Sequence, residues 1–155
     1  MSCKFELGDD FCFRNIQIDD FDKGYIDLMS QLSVIRREKI TKIQLSDFVN
    51  NLHKNHIIMV IEDIKTCKIV GSITILIENK VIHDMGCVAH VEDVVIDENY
   101  RKRSLASYMI EHAMRISILN NCYKIILDCS IENKMFYEKC GFEYKNVIQM
   151  NSYFI

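Results

Sequence analysis

The run Cys87–Ile96 sets the tightest limit on what this chain can fold into. It is apolar and largely β-branched, ends at Asp97-Glu98-Asn99, and is followed by apolar residues at helical spacing: Leu105, Met109, Ile110, Ala113, Ile116 and Ile118. A second apolar run, Lys124–Cys129, comes next, with Ile125, Ile126 and Leu127 at its centre, and reads as a short buried strand. Strand, helix and strand in that order form a crossover unit. Its two strands share one sheet and lie parallel, and the helix covers a face.

The rest of the chain extends this sheet. Ile57–Ile61 and Ile69–Ile77 are dense apolar runs separated by a break at Lys65-Thr66, which predicts a hairpin. Gly71 inside the second run points to a bulge or a close contact. Phe11–Gln17 reads as a first strand. Asp19-Asp20 then offers an N-cap for a helix carrying Phe21, Tyr25, Leu28 and Leu32, and a second helix is expected after Ser46 with Phe48, Val49 and Leu52 on one face. Asn133–Lys139 predicts a short helix closed by Gly141, and Ile148–Phe154 a final strand. The expected order is β-α-α-β-β-β-α-β-α-β, a mixed α/β sheet with helices on both faces. With 155 residues, one domain spanning 1–155 is expected.

Composition removes several functional classes. Apolar residues make up 49% and charged residues 26%, so a packed domain is expected rather than a disordered chain. A net charge of −3 argues against a nucleic-acid binder. No apolar run approaches the roughly 20 residues of a membrane span, and Met1–Asp10 lacks the apolar core of a targeting signal. A cytoplasmic protein with no membrane partner is the expectation. The seven cysteines are odd in number and contain no C-x-x-C pair, so neither a metal site nor a disulfide framework is expected. They read mostly as small apolar core residues.

Three clusters carry chemistry. Tyr100-Arg101-Lys102-Arg103-Ser104-Leu105-Ala106 places three cations where a helix begins after a strand. Free backbone N–H groups and the helix dipole make such a start an anion site, suited to a diphosphate. An exposed basic loop is the plainer alternative. Glu92 and Asp93 sit together inside an otherwise apolar strand, where alternation would send one side chain toward the core and one away. Such charges are paired, functional or near an edge. Asp128 ends the Lys124–Cys129 run, and Asn133 and Tyr137 share one face of the helix that follows. Ordinary packing is the alternative for Phe136 and Tyr137.

At these clusters the chain resembles the GNAT acetyltransferase superfamily. The superfamily's cofactor signature, Arg/Gln-x-x-Gly-x-Gly/Ala, reads here Arg101-Lys102-Arg103-Ser104-Leu105-Ala106. A closer resemblance, to eukaryotic glucosamine-6-phosphate N-acetyltransferases, rests on Val91–Val95, on Asn121–Cys129 (NCYKIILDC) and on Asn133–Phe142 (NKMFYEKCGF). It extends more weakly to Gln31-Leu32-Ser33 and to Lys80-Val81-Ile82-His83.

The resemblance implies a mostly antiparallel mixed sheet whose central strands splay apart. It also implies direct acetyl transfer from acetyl-CoA to glucosamine 6-phosphate, in support of UDP-N-acetylglucosamine synthesis, by a homodimer. The pyrophosphate loop would be Arg101, Lys102, Arg103, Ser104, Leu105 and Ala106. Glu92, Asp93, Val94 and Ile96 would lie along the pantetheine arm, and Asn133 and Tyr137 would contact the cofactor. Ser33, Lys80, Val81, Ile82, His83, Glu92 and Asp128 would meet the sugar phosphate, the Lys80–His83 stretch by reaching a partner subunit's site. Tyr137, Asp128 and Glu92 would carry the chemistry. Two departures stand out. Ser104 replaces the loop's middle glycine, which predicts weakened cofactor binding. Ser152 and Tyr153 occupy the region where the family has a phosphate-binding arginine, leaving Lys80 or His83, with Arg36 or Arg37 behind, as substitutes. The other readings are a GNAT enzyme for another amine and a non-catalytic acyl-CoA-binding module.

Overall fold

The computed structural model describes residues 7–154, so the reading of the first six residues, Cys3 among them, lies outside the described residues. The elements are β1 (Phe11–Asn15), α1 (Tyr25–Ser30), α2 (Lys42–Asn50), β2 (His56–Asp63), β3 (Lys68–Asn79), a one-turn α3 (Ile82–Met85), β4 (Cys87–Ile96), α4 (Leu105–Leu119), β5 (Cys122–Ile126) and α5 (Lys134–Lys139). The five strands pair in chain order, β1 to β4 antiparallel and β4 with β5 parallel, as the crossover unit requires.

Both faces of this sheet are covered, because β2 and β3 are apolar on both sides. Ile61, Val70, Ile73 and Ile75 pack with Leu105, Met109, Ile110 and Ala113 of α4 on one face. Ile58, Val60 and Ile69 pack with Tyr25, Ile26 and Leu28 of α1 and Leu45 of α2 on the other. Each fully buried side chain of this size stabilises the fold by about 1.5–3 kcal/mol.

Two irregularities in the ladders matter for the site. Ile61 pairs with Gly71 while Glu62 pairs with Ile69, so Val70 is an extra residue on β3. A Cβ at Gly71 would lie 2.9 Å from Ile96 Cδ1 and 3.3 Å from Ile61 Cβ, so Gly71 is both beside a bulge and in close contact. In the second irregularity, Ser72 pairs with Val95 and Thr74 with Glu92, leaving Asp93 and Val94 together opposite Ile73. Asp93 takes the left-handed backbone (φ 51°) that this requires.

Several expectations are corrected. Asp19-Asp20 does not cap α1. Asp20 is fully buried and held by two hydrogen bonds from Arg14, at 2.9 and 2.7 Å, and α1 starts after Gly24. The second helix begins earlier than Ser46, because Thr41 and Gln44 form a capping box before Lys42. The strand expected over Lys124–Cys129 runs from Cys122 to Ile126 and is mostly exposed at the sheet edge. No strand forms at Ile148–Phe154: residues 142–154 have no regular element, and Ile148, Met150 and Phe154 are 88–92% exposed. Among the six described cysteines Cys87 is buried and Cys122 and Cys140 pack partly buried against the main core, while Cys67 and Cys129 are exposed, so the core reading holds for only part of the set.

Candidate active site

The cleft follows from the way β4 outruns β5. They pair from Cys87 to His90 of β4 and from Cys122 to Ile126 of β5, and beyond His90 β4 continues without β5. The opening holds a cleft of ≈440 Å³ between the far end of β4, the start of α4 and the face of α5. β5 is paired over its whole length and ends at Ile126, so the opening lies where β4 runs on past it.

Val94 and Ile96 line one wall, Arg101, Lys102, Leu105 and Ala106 the floor, and Asn133 and Tyr137 the opposite wall. Ser104 caps α4 in the left-handed region (φ 60°), and Lys102 shares that conformation (φ 65°). An L-residue in this region costs about 1–2 kcal/mol, so the glycine at this signature position answers a backbone demand as well as a spatial one. Arg103 does not line the cleft; its guanidinium lies 5.0 Å from the centre of the Tyr100 ring. Asn133 and Tyr137 both face the cleft, as their spacing on one helical turn predicts.

Tyr137 stands edge-on to Phe136 (4.9 Å) and Phe142 (6.0 Å). Burial, together with Cys129 and Cys140 nearby, pushes its phenol above the ordinary range, so it stays protonated and remains a donor. Neither Glu92 nor Asp93 enters the core, contrary to simple alternation. Both are exposed: Glu92 keeps the alternation, opposite Thr74 and on the face away from buried Val91, and the bulge at Asp93-Val94 turns Asp93 out of the place alternation would give it. Partial burial, with Asp93 and Asp128 close by, raises the Glu92 carboxyl above the usual carboxylate range. Asp128 lies two residues past β5, exposed, and accepts a 3.0 Å hydrogen bond from Gln149 Nε2. Glu92, Asp93 and Asp128 thus lie close together, but none of the three is among the residues that line the cleft, whose β4 wall starts at Val94.

The expected sugar-phosphate residues are not all gathered there. Ser33 follows directly on Gln31 and Leu32, which do line the cleft. Lys80, Val81, Ile82 and His83 instead precede β4, at the far end of the strand from Val94. At about 3.3 Å per residue that stretch and the cleft stand more than ~20 Å apart in one chain. Lys80 pairs with Glu78 at 2.5 Å, the His83 ring lies 4.1 Å from that of Tyr123, and Val81 is 81% exposed. Arg37 is engaged with Asp27 at 2.7 Å.

Tyr100, Phe136, Gln31 and Leu32 line the cleft and were missed as site residues. Tyr100 and Phe136 flank recognised motifs and could have been read from them. Gln31 and Leu32 likewise adjoin Ser33 in a stretch the resemblance covers, but the Gln31 contacts were not readable: its amide accepts from Glu98 N (3.0 Å) and donates to Asp97 Oδ2 (2.9 Å), a bond spanning 66 positions.

The family model of the GNAT acetyltransferases matches residues 14–142. The chain is 41% identical over 150 residues to glucosamine 6-phosphate N-acetyltransferase 1 of Dictyostelium discoideum, covering 95% of this chain and 93% of that one. The crystal structure of the Arabidopsis thaliana glucosamine-6-phosphate N-acetyltransferase superposes with a TM-score of 0.89 at 38% identity, covering 94% of this chain and 99% of that one. A Trypanosoma brucei acetyltransferase structure superposes with a TM-score of 0.83 at 28% identity, covering 92% and 100%.

Proposed function

Because the chain belongs to the GNAT acetyltransferase family, we propose that it transfers the acetyl group of acetyl-CoA to the amine of glucosamine 6-phosphate. The product would feed UDP-N-acetylglucosamine synthesis in the cytoplasm. One observation carries this reading beyond family membership. The cleft opened where β4 outruns β5 has a cationic loop at one end and a protonated tyrosine on its wall, and an acidic cluster lies outside its lining. A phosphorylated thioester donor, a leaving thiolate and an arriving ammonium need those three features. The names of the Dictyostelium and Arabidopsis relatives support the same acceptor.

The donor's diphosphate would be held by Arg101, Lys102 and the free N–H groups at the start of α4. Its pantetheine arm would lie along Val94 to Ile96, and a backbone N–H at the β4 bulge would donate to the thioester oxygen as charge builds there. No covalent enzyme intermediate is needed, so none of the cysteines acts as a nucleophile. The amine arrives as an ammonium, drawn by Glu92, Asp93 and Asp128. Glu92, whose carboxyl sits above its usual range, takes one proton directly or through water to free the lone pair; after attack the nitrogen's second proton leaves through water and replaces the one Tyr137 gives up, and the proton held by Glu92 passes to solvent. Asp128 orients the amine. Tyr137 then gives its proton, or a hydrogen bond, to the departing thiolate.

A homodimer completes the acceptor site. Lys80–His83 cannot reach the cleft of their own chain, so they serve the cleft of a partner, where Lys80 or His83 meets the sugar phosphate. The exposed apolar segment containing Val147, Ile148, Met150, Tyr153 and Phe154 supports such an association. Mass spectrometry of N-acetylated product, with acetyl-CoA and either glucosamine 6-phosphate or plain glucosamine, tests the reading. Product from the phosphorylated sugar, at least about tenfold faster than from the plain one, is expected. Absence of product from both, with acetyl-CoA still bound, would point to another amine or to a non-catalytic module.

A further inference from the structure

The diphosphate loop does not hold its shape by local preference, since Lys102 and Ser104 are both left-handed without being glycine. Arg101 Nε donates to the Ile96 carbonyl at 3.3 Å, and a further set of contacts converges on Tyr100, the residue just before the loop. The Tyr100 hydroxyl donates to Asp63 Oδ2 at 2.6 Å. Asp63 ends β2 and is 8% exposed. Its other oxygen accepts from the backbone N–H of Lys65 (2.9 Å) and of Thr66 (3.2 Å), so the carboxylate is fixed by the β2–β3 turn. Phe11 meets the Tyr100 ring edge-on at 6.2 Å, and the Arg103 guanidinium lies over that ring at 5.0 Å. Tyr100 also lines the cleft. One side chain therefore links a fixed point in the sheet to a loop cation and to the cleft.

We propose that Tyr100, anchored by Asp63, is a positioning residue that holds the Arg101–Ser104 loop in the shape that grips the donor's diphosphate. The proposal rests on the acetyl-CoA reading above. Tyr100→Phe removes the hydrogen bond and keeps the ring under Arg103. Asp63→Asn weakens the same bond from the other end and keeps an acceptor for the turn. The donors compared are acetyl-CoA and S-acetylpantetheine, which carries the thioester but lacks the diphosphate and nucleotide.

A hydrogen bond to a charged group of this kind is worth about tenfold in affinity. For Tyr100→Phe the KM for acetyl-CoA should rise about tenfold with kcat within about twofold, while kcat/KM for S-acetylpantetheine stays unchanged. The double variant should be no worse than Tyr100→Phe alone, because both changes act on one bond. Equal losses with both donors would mean a general structural role and would overturn the proposal, as would no change with either. Calorimetric titration of CoA needs no acceptor and separates the two ideas. If the parent protein acetylates no amino sugar, a tenfold weaker CoA affinity in Tyr100→Phe still supports the positioning role, and an unchanged affinity overturns it. Melting curves confirm that the variants are folded.

Discussion

The two halves of the proposed site are built differently. The residues proposed for the donor, from Val94 through Ala106 to Tyr137, line one cleft and rest on the larger core, through Leu105, Met109 and Ile110 of α4. The residues proposed for the acceptor are scattered: Glu92 and Asp128 are exposed, Ser33 lies in a bend, and Lys80–His83 stand at the other end of β4. A thioester donor with a long arm and a diphosphate can be held by backbone and a helix start, which one fold supplies. A small sugar phosphate needs convergent side chains, and the residues proposed for it do not converge within one chain. On the proposed reading, donor binding belongs to the protomer and acceptor binding to the dimer.

The largest expected effect breaks the donor half. Tyr137→Phe should lower kcat about 10²- to 10³-fold with the KM for acetyl-CoA nearly unchanged. Steady-state kinetics that returned the parent kcat would remove Tyr137 from the mechanism. Glu92→Gln comes next, with a loss of about 10²-fold, and its pH profile sharpens the claim. The Glu92 carboxyl is raised by burial and by Asp93 and Asp128. It must be ionised to accept a proton, so kcat/KM in the parent should fall as pH drops through a point above the ordinary carboxylate range. In the variant that acid limb should vanish. A limb that persisted would assign it to the amine or to Asp128.

The smallest effect concerns Ser104. Ser104→Gly relieves left-handed strain of about 1–2 kcal/mol, offset by about 0.5–1 kcal/mol for the freer unfolded glycine. Melting should therefore shift up by a few degrees at most, and the KM for acetyl-CoA should fall two- to threefold, about 0.5 kcal/mol. A rise in KM would show instead that the serine hydroxyl contributes a bond to the donor.

The same contrast marks what the sequence made legible. The strands β2 to β4 and helix α4 were plain, because their apolar patterns serve a core within one chain. The donor loop and the Asn133–Tyr137 face were readable for the same reason: they are local segments with fixed spacing. Alternation failed at Asp93 because the bulge opposite Ile73 re-aims its side chain while Glu92 stays in register with Thr74, and nothing local announces a bulge without glycine. Ile148–Phe154 has the composition of a strand, yet composition cannot show whether a ladder is available for it to join. The Gln31–Asp97 and Tyr100–Asp63 bonds join residues 66 and 37 positions apart, beyond the reach of any periodicity.

The most direct test mixes two inactive proteins. One carries Tyr137→Phe, the other Lys80→Ala with His83→Ala, and they are unfolded together, refolded and assayed with acetyl-CoA and glucosamine 6-phosphate. Random pairing makes about half of the dimers mixed, each with one site built wholly from unaltered residues, so roughly a quarter of parental activity should return. Activity that stayed at the level of the separate variants would contradict a shared acceptor site and place the sugar phosphate within a single chain.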